Sequence, residues 1–412
     1  VKSVLYLTRN GLLEPLGYSQ VLSYLRGLST QFRVAVVTFE KPRDLKDVAR
    51  VEAVEAECNA LGIRWIRYRF HDVRYVAPAA AMGLLMRHAL DGRWGRFDLV
   101  HARSHVPAVV AMAANVATGV PYVFDTRGLW VEELVESGLV TPGTPMHRAL
   151  SVAERRALER AAGVVVLTNA ARRFLEERHS FLADKPMAVI PTCVDLDRFF
   201  PDDAPQKSGP TTFGCVGTVL SGWFDFPRLR DFIEVARNET PGSAFEIVTQ
   251  EPNERVRAAL GDAAGDVRVR SATPVEMPEI MRRHTVSLVF YKTGTSQIAR
   301  SPTRLGEALA VGVPVVTNEG VGDVAEIVRR HDVGVVLPSD RGTERLAHAI
   351  RRAVTLANAH DIRPRCRAAA EAEFSLETGT RRYAEMYQQI LRHKGAAERP
   401  LGREAAAKGL LR

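Results

Sequence analysis

Two stretches of this chain follow one plan, and together they constrain its fold more than any other feature. An apolar run over residues 4–8 leads into Arg9-Asn-Gly-Leu-Leu-Glu-Pro-Leu-Gly17, a loop with two glycines and a proline. A helix follows, with Ser19 and Gln20 in its first turn and Val21, Leu22, Leu25 and Leu28 at helical spacing. About 210 residues later, an apolar run over 212–216 leads into Gly217-Thr218-Val-Leu-Ser-Gly222 and a helix around 228–236. Strand, glycine loop and helix is how a parallel α/β sheet opens, so two openings predict an α/β protein with two Rossmann-like domains facing each other across a cleft. The 412 residues suffice for two or three such domains.

The rest of the chain fills in both halves. Strands are predicted over 34–39, 63–68, 97–101, 120–124, 164–167 and 187–191. Helices are predicted over 45–61, from about 107, and over 151–162, with Thr168-Asn169 capping another. The polar stretch with Pro201, Pro205 and Pro210 reads as a linker. Beyond it come strands over 245–249, 286–290, 313–317 and 333–337, a short helix over 276–283, and helices through Phe374. Ser375-Leu-Glu caps a last helix with Tyr383, Met386, Tyr387 and Ile390 on one apolar stripe. These signals divide the chain into domain 1–190, linker 191–210, domain 211–374, terminal helix 375–394 and a flexible Ala-, Arg- and Gly-rich tail 395–412.

The densest chemistry lies in residues 301–326, SPTRLGEALAVGVPVVTNEGVGDVAE. Ser301 suits the N-cap and Pro302 the first helical position, which leaves the amides of Thr303 and Arg304 pointing out of the helix start. The helix dipole favours an anion there, and the Arg304 guanidinium can fork onto a phosphate. Glu307 shares a face with Thr303 and Arg304, about one turn (~5 Å) along, where it can accept bonds from ribose hydroxyls. Gly312 ends the helix. A capped crossover helix with a salt-bridged glutamate would show the same local pattern.

In the first half, polar residues gather at two strand ends: Arg103, Ser104 and His105 after one strand, Asp125 and Arg127 after the next. Ligands of open parallel sheets collect at strand carboxyl ends, so these five are candidates to converge on one cleft. His101 and His105 also suit structural histidines, and Asp125 with Arg127 a simple salt bridge. Between Arg64 and Tyr75, Trp65, Tyr68, Phe70 and Tyr75 are interleaved with Arg64, Arg67, Arg69 and Arg74. That mixture fits either a membrane interface or a half-buried strand with solvated arginines, and period 2 favours the strand.

Composition excludes several classes. Fifty-six Lys and Arg against 48 Asp and Glu give a net charge of +8, which allows anionic partners. No nucleic-acid-binding signature accompanies it. Cys58, Cys193, Cys215 and Cys366 lack CxxC spacing, so neither a zinc site nor a disulfide framework is expected. No apolar run approaches the roughly 20 residues of a membrane span, and the start of the chain reads as a strand. A cytoplasmic protein is expected, with peripheral contact to the inner face of the membrane left open. No GxGxxG with a downstream acidic residue follows the first strand, which argues against a dehydrogenase.

The wording of 301–326, with Ser-Pro-Thr-Arg-Leu-Gly-Glu-Ala-Leu-Ala, Gly-Val-Pro-Val-Val and Gly-Asp-Val-Ala-Glu-Ile-Val, resembles the donor-site segment of the family 4 glycosyltransferases, which have the two-domain GT-B fold. Phe-Asp-Thr-Arg-Gly-Leu-Trp at 124–130 resembles an Asp-x-Arg-Gly-x-Trp variant of the family. The phrase Ile-Pro-Thr-Cys-Val-Asp-Leu-Asp-Arg-Phe at 190–199 is similar to its interdomain phrase, with Cys193 where glycine is usual. The resemblance implies a retaining transfer, without a bound metal, from a nucleotide-diphosphate sugar to a hydroxyl acceptor such as a saccharide, a lipid-linked saccharide or a natural product. It also implies a last helix that crosses back to the first domain. Donor contacts would fall on Gly17, Gln20, Gly217, Thr218, Lys292, Ser301, Thr303, Arg304 and Glu307, and acceptor contacts on Arg103, Ser104, His105, Asp125 and Arg127. Asp125, Arg127, Arg304 and Glu307 would stand nearest the chemistry.

The chain departs from the family pattern in two places. The usual Arg and Lys after the strand at 212–216 are missing, which leaves Arg304 and Lys292 to meet the leaving diphosphate. The first of the family's two glutamates falls on Ala299, so backbone amides around 296–301 would have to hold the donor sugar. These gaps keep open a non-catalytic partner subunit, and the double Rossmann frame alone also fits a nucleotide-sugar epimerase.

Overall fold

The structure, a computed structural model, describes residues 1–70, 82–88, 97–202, 209–338 and 342–397. It contains two parallel sheets. The first joins β1 (Ser3–Leu7), β2 (Arg33–Glu40), β3 (Arg64–Arg69), β4 (Leu99–Arg103), β5 (Tyr122–Asp125), β6 (Gly163–Val166) and β7 (Met187–Val189) in the order β3-β2-β1-β4-β5-β6-β7. The second joins β8 (Thr212–Val216), β9 (Ala244–Val248), β10 (Arg268–Arg270), β11 (Val286–Val289), β12 (Val315–Asn318) and β13 (Gly334–Leu337) in the order β10-β9-β8-β11-β12-β13. Each sheet starts at its centre, winds to one edge and then restarts on the other side of its first strand. The order therefore reverses between β1 and β4 and between β8 and β11, which is where open sheets of this kind bind ligands.

The strands form where β-branched runs can be buried on both faces. Val34, Val36 and Val37 in β2, and Val164, Val165 and Val166 in β6, are all buried. β3 is an edge strand and keeps Arg64, Arg67 and Arg69 exposed. Arg67 lies over the Trp65 ring at 4.9 Å and Trp65 Nε1 donates to Thr38 Oγ1, so this part of the aromatic and arginine mixture is a half-buried strand. Arg74 and Tyr75 lie outside the described residues. Among the described residues no helix is long and apolar enough to cross a membrane.

Three local features differ from the sequence expectation. The helix expected over 151–162 begins at Pro145 and runs Pro145–Arg160, because Thr144 Oγ1 accepts from His147 N and Pro145 occupies the first turn. β10 has three residues and only Val269 to bury, too little for a strand signal. The helix expected to start on Ser301 runs Thr303–Ala310 with Pro302 at its N-cap, and Ser301 makes no cap bond.

The two sheets are tied together beside the linker. Val194 N donates to Phe374 O and Leu376 N to Val194 O, so the chain leaves the first sheet and returns to it along the same seam. The returning helix, Leu376–Ala397, is capped by Ser375 Oγ accepting from Thr378 N. Its Tyr383, Met386, Tyr387 and Ile390 are buried in one core with Val4, Tyr6, Leu25 and Val36 of the first sheet and its first helix. At roughly 1.5–3 kcal/mol for each large side chain, this stripe anchors the helix firmly. The helix thus covers residues 395–397 of the expected flexible tail, and 398–412 lie outside the described residues.

Candidate active site

The second sheet presents its reversal point with the helix Thr303–Ala310 beside it. The amides of Thr303 and Arg304 start that helix without acceptors inside it, while Glu307, one turn along, is 9% exposed and ion-paired through Oε2 with Arg304 Nη1. Burial opposes the charge on Arg304, but Glu307 outweighs it and raises the pKa of the guanidinium. Gly217, at the end of β8, holds φ +118°, a backbone that favours glycine, and lies against the Arg304 side chain, whose Nε is 3.7 Å from where a Cβ would stand. Lys292 N donates to Trp223 O, which ties the loop after β11 to the loop after β8. The Lys292 side chain and Thr218 are exposed.

Gly217, Arg304 and Glu307 are thus brought together, and the loop that carries Lys292 is tied beside them through Trp223. Ser301 turns away from them: Thr192 N donates to its Oγ at 3.2 Å and Thr192 Oγ1 to its carbonyl at 2.6 Å, so it fastens the helix start to the linker. Sequence reasoning missed Arg300. Its guanidinium carbon lies 4.8 Å from the Trp223 ring centroid and 5.8 Å from that of Tyr291, with Glu133 of the first domain 3.9 Å away. An arginine next to SPTR was the available signal.

Both glycine loops hold a surprise for the phosphate reading of their backbone. Val219 N and Leu220 N donate to Glu251, and Leu12 N and Leu13 N donate to Glu40. These four amides are occupied by carboxylates of the chain. Glu40 ends β2 and Glu251 lies just past β9, so each comes from the second strand of its sheet, a position visible in the sequence. The amides proposed to replace the glutamate at Ala299 are also partly engaged. Ser296 N donates to Glu136, Gln297 N to Gly294 O and Arg300 N to Gln297 O, while Ala299 itself packs into the first domain's core.

At the reversal point of the first sheet, Arg103 ends β4 and pairs in register with Asp125 at the end of β5. Arg103 Nη1 donates to Asn10 Oδ1 in the loop after β1 at 3.0 Å. Asp125 is fully buried. Its Oδ2 accepts from the Tyr383 hydroxyl at 3.0 Å and lies 3.4 Å from His101 Nε2 and 3.8 Å from Arg127 Nη1. Burial works against the Asp125 charge, but Arg127, His101 and Arg103 outweigh it and hold the carboxyl below its usual range. Tyr387 and His101 Nδ1 are hydrogen-bonded at 2.7 Å, and burial lowers the His101 pKa so that it stays neutral. Arg127 adopts φ 59°, an uncommon backbone for a residue other than glycine, and its guanidinium is buried beside Asp125.

Two candidates from this region fall away from the cleft. His105 Nε2 is bonded to Glu154 Oε1 at 2.7 Å and its ring packs on Phe124 and Trp130, while its buried Nδ1 has no partner among the described residues. Ser104 contributes through its backbone, donating to Asp125 O at 2.7 Å with φ 77°. Gln20 Nε2 donates to Cys193 O in the linker, and a Cβ on Gly17 would lie 1.7 Å from Gly11 O, so both hold the first helix tightly against its surroundings.

Both halves of the chain match glycosyltransferase families: residues 19–193 match the Glycosyl transferase 4-like domain, and residues 212–355 match Glycosyl transferases group 1. The chain belongs to the glycosyltransferases. Among curated proteins none matches its sequence. Solved structures share the fold of this glycosyltransferase at low identity. Sucrose-phosphate synthase from Thermosynechococcus elongatus is 16% identical with a TM-score of 0.68, covering 95% of this chain and 100% of that one. Anabaena HepE in complex with UDP-glucose is 16% identical with a TM-score of 0.64, covering 96% and 100%. WaaG, a glycosyltransferase involved in lipopolysaccharide biosynthesis, is 15% identical with a TM-score of 0.60, covering 96% and 100%. At this identity the likeness shows the glycosyltransferase's two-domain GT-B fold.

Proposed function

We propose that this glycosyltransferase transfers a glycosyl group, with retention of configuration, from a nucleotide-diphosphate sugar at the β8/β11 crevice to a hydroxyl acceptor over the ends of β4 and β5. The observation that carries the donor half is the placement of Glu307. It is buried one turn inside a helix whose open amides and Arg304 face the same crevice, which suits a ribose beside a diphosphate. Arg304, Arg300 and Lys292 supply the charge to stabilise the leaving diphosphate, so transfer proceeds without a divalent metal. The departing phosphate takes the acceptor proton on the face from which it leaves. Asp125, closed in by Tyr383, acts by positioning Arg127.

HepE was solved with UDP-glucose, so a uridine nucleotide is the first to try. The test is calorimetry with UDP, GDP, dTDP, ADP and CMP against wild type and Glu307→Ala. One nucleotide should bind selectively and lose about 10-fold or more without Glu307, the worth of hydrogen bonds to a charged group. Binding of none, or equal binding by the variant, overturns the donor assignment. The anomeric configuration of the product, read by NMR, tests retention, and turnover in EDTA tests the metal. Acceptors on lipid carriers suit the net charge of +8, and co-sedimentation with anionic vesicles tests the membrane contact.

A further inference from the structure

The charge at the first sheet's reversal point does not balance. Arg103 is 5% exposed and the Arg127 side chain 9%, and the fully buried Asp125 is the carboxylate between them. Among the described residues Arg103 Nε and Arg127 Nη1 have no hydrogen-bond partner, and neither does Asp125 Oδ1, although each is sealed from solvent. An arginine left buried with unmet donors costs several kcal/mol unless a matching anion arrives. Burial and then repulsion from Arg127 lower the pKa of Arg103, the mark of two cations held together. The hydrogen bond from Arg103 to Asn10 spans the loops after β1 and β4, so the pair sits where a sheet of this order takes its ligand.

We propose that Arg103 and Arg127 form a seat for an anionic oxygen group, a carboxylate or phosphate, carried by the acceptor. This rests on the assignment of the acceptor to the first domain. The donor's diphosphate has its own cations and open amides at the β8/β11 crevice, in Arg304, Lys292 and the start of the helix Thr303–Ala310, so a second pair of guanidinium groups in the other domain serves the other substrate. Guanidinium groups bind carboxylate or phosphate oxygens through charge-assisted hydrogen bonds, and two arginines that each hold one unmet donor can grip one anion between them. The acceptor is therefore a uronate-bearing or phosphate-bearing saccharide or lipid, with the hydroxyl to be glycosylated near that group.

The experiment titrates the full chain with inorganic phosphate, glucuronate and glucose by calorimetry, with and without saturating UDP. Phosphate and glucuronate should bind at least 10-fold more tightly than glucose. Arg103→Gln and Arg127→Gln should each weaken both anions at least 10-fold, while Glu307→Ala leaves them unchanged. Anion binding that is indifferent to both arginine variants overturns the proposal. So does anion binding that is displaced by UDP and lost in Glu307→Ala, since the anion would then be occupying the diphosphate site. Failure of every nucleotide to bind would strike the donor assignment alone, because the anion titrations are read without it. Folding is controlled by the thermal midpoint. Without anion, Arg103→Gln should melt no lower than wild type, and added phosphate should raise the midpoint of wild type only. A lower midpoint with no change in the response to phosphate would make the arginine structural and sink the idea. Arg103→Lys keeps the charge and should fall between wild type and Arg103→Gln.

Discussion

The two reversal points of this molecule are built alike and finished differently. Each follows a strand, a glycine loop and a helix, each has its loop amides held by a carboxylate from the second strand (Glu40 in one, Glu251 in the other), and each sets an arginine beside the loop, Arg103 in one and Arg304 in the other. In the first domain the returning helix then covers the site. Tyr383 and Tyr387 reach Asp125 and His101, and the charges are sealed. In the second domain no element among the described residues makes a comparable contact to Arg304, whose side chain stays 33% exposed. The covering helix fixes the orientation of Asp125 and His101, whereas Arg304 keeps part of its surface open to an incoming ligand.

The strongest way to break this comparison is at the open site. Arg304→Ala removes the guanidinium and leaves Glu307 without its partner. If the open crevice holds the diphosphate, kcat should fall by about 10²-fold or more, the usual scale for losing one donor to developing negative charge. Stability should drop by only ~1 kcal/mol, because Arg304 is a third exposed and its ion pair is partly screened. Steady-state kinetics and urea unfolding on the same preparation separate the two effects. An activity loss no larger than the stability loss explains would remove Arg304 from the chemistry.

A smaller effect is expected at the covered site, and it should appear in stability. Tyr383→Phe deletes the hydroxyl that donates to Asp125 Oδ2 while keeping the ring in place. A hydrogen bond to a charged group is worth about 1.5–3 kcal/mol. Tyr387→Phe removes a bond to a neutral His101 and should cost about 0.5–1.5 kcal/mol. Urea denaturation followed in the first domain checks the order. Equal losses would mean that the Asp125 charge is not what the terminal helix holds.

The sequence showed the frame of both sites and little of what finishes them. β-branched runs, paired glycine loops and the spacing of Thr303, Arg304 and Glu307 are local, and local signals survive in a one-dimensional reading. The covering of Asp125 is not local, since Tyr383 lies 258 residues away in the chain. Ser301 looked like a helix cap because Ser-Pro is a cap signal. Its real partner, Thr192, lies 109 residues off, and a tertiary bond overrode the local preference. Glu40 and Glu251 were legible by position, but a carboxylate at the end of a second strand suggests a ribose before it suggests the chain's own amides. Arg300 carries little local signal because its partners, Trp223, Tyr291 and Glu133, come from other parts of the chain.

The finest test uses two acids on equivalent strands whose environments push in opposite directions. Glu40, at the end of β2, has its pKa raised, chiefly by burial, despite bonds from Thr38, Leu13 and Leu12. Glu246, in β9, is also opposed by burial, but His284 and Arg270 outweigh it and bring its pKa down to about 2. For Glu246 the folded pKa lies below the unfolded one. Its stabilisation is therefore present above about pH 4.5 and drains away as pH falls toward 2. For Glu40 the sign reverses: the folded state holds its proton longer, so stability declines as pH rises from the unfolded pKa through the folded one. Urea unfolding at a series of pH values should show the advantage of wild type over Glu246→Gln shrinking with acid. The gap between wild type and Glu40→Gln should instead narrow, or turn against wild type, as pH climbs above 4.5. A constant offset from the lost second acceptor in Glu40→Gln leaves that slope untouched, so parallel slopes in the two variants would show that the two strands do not differ in this way.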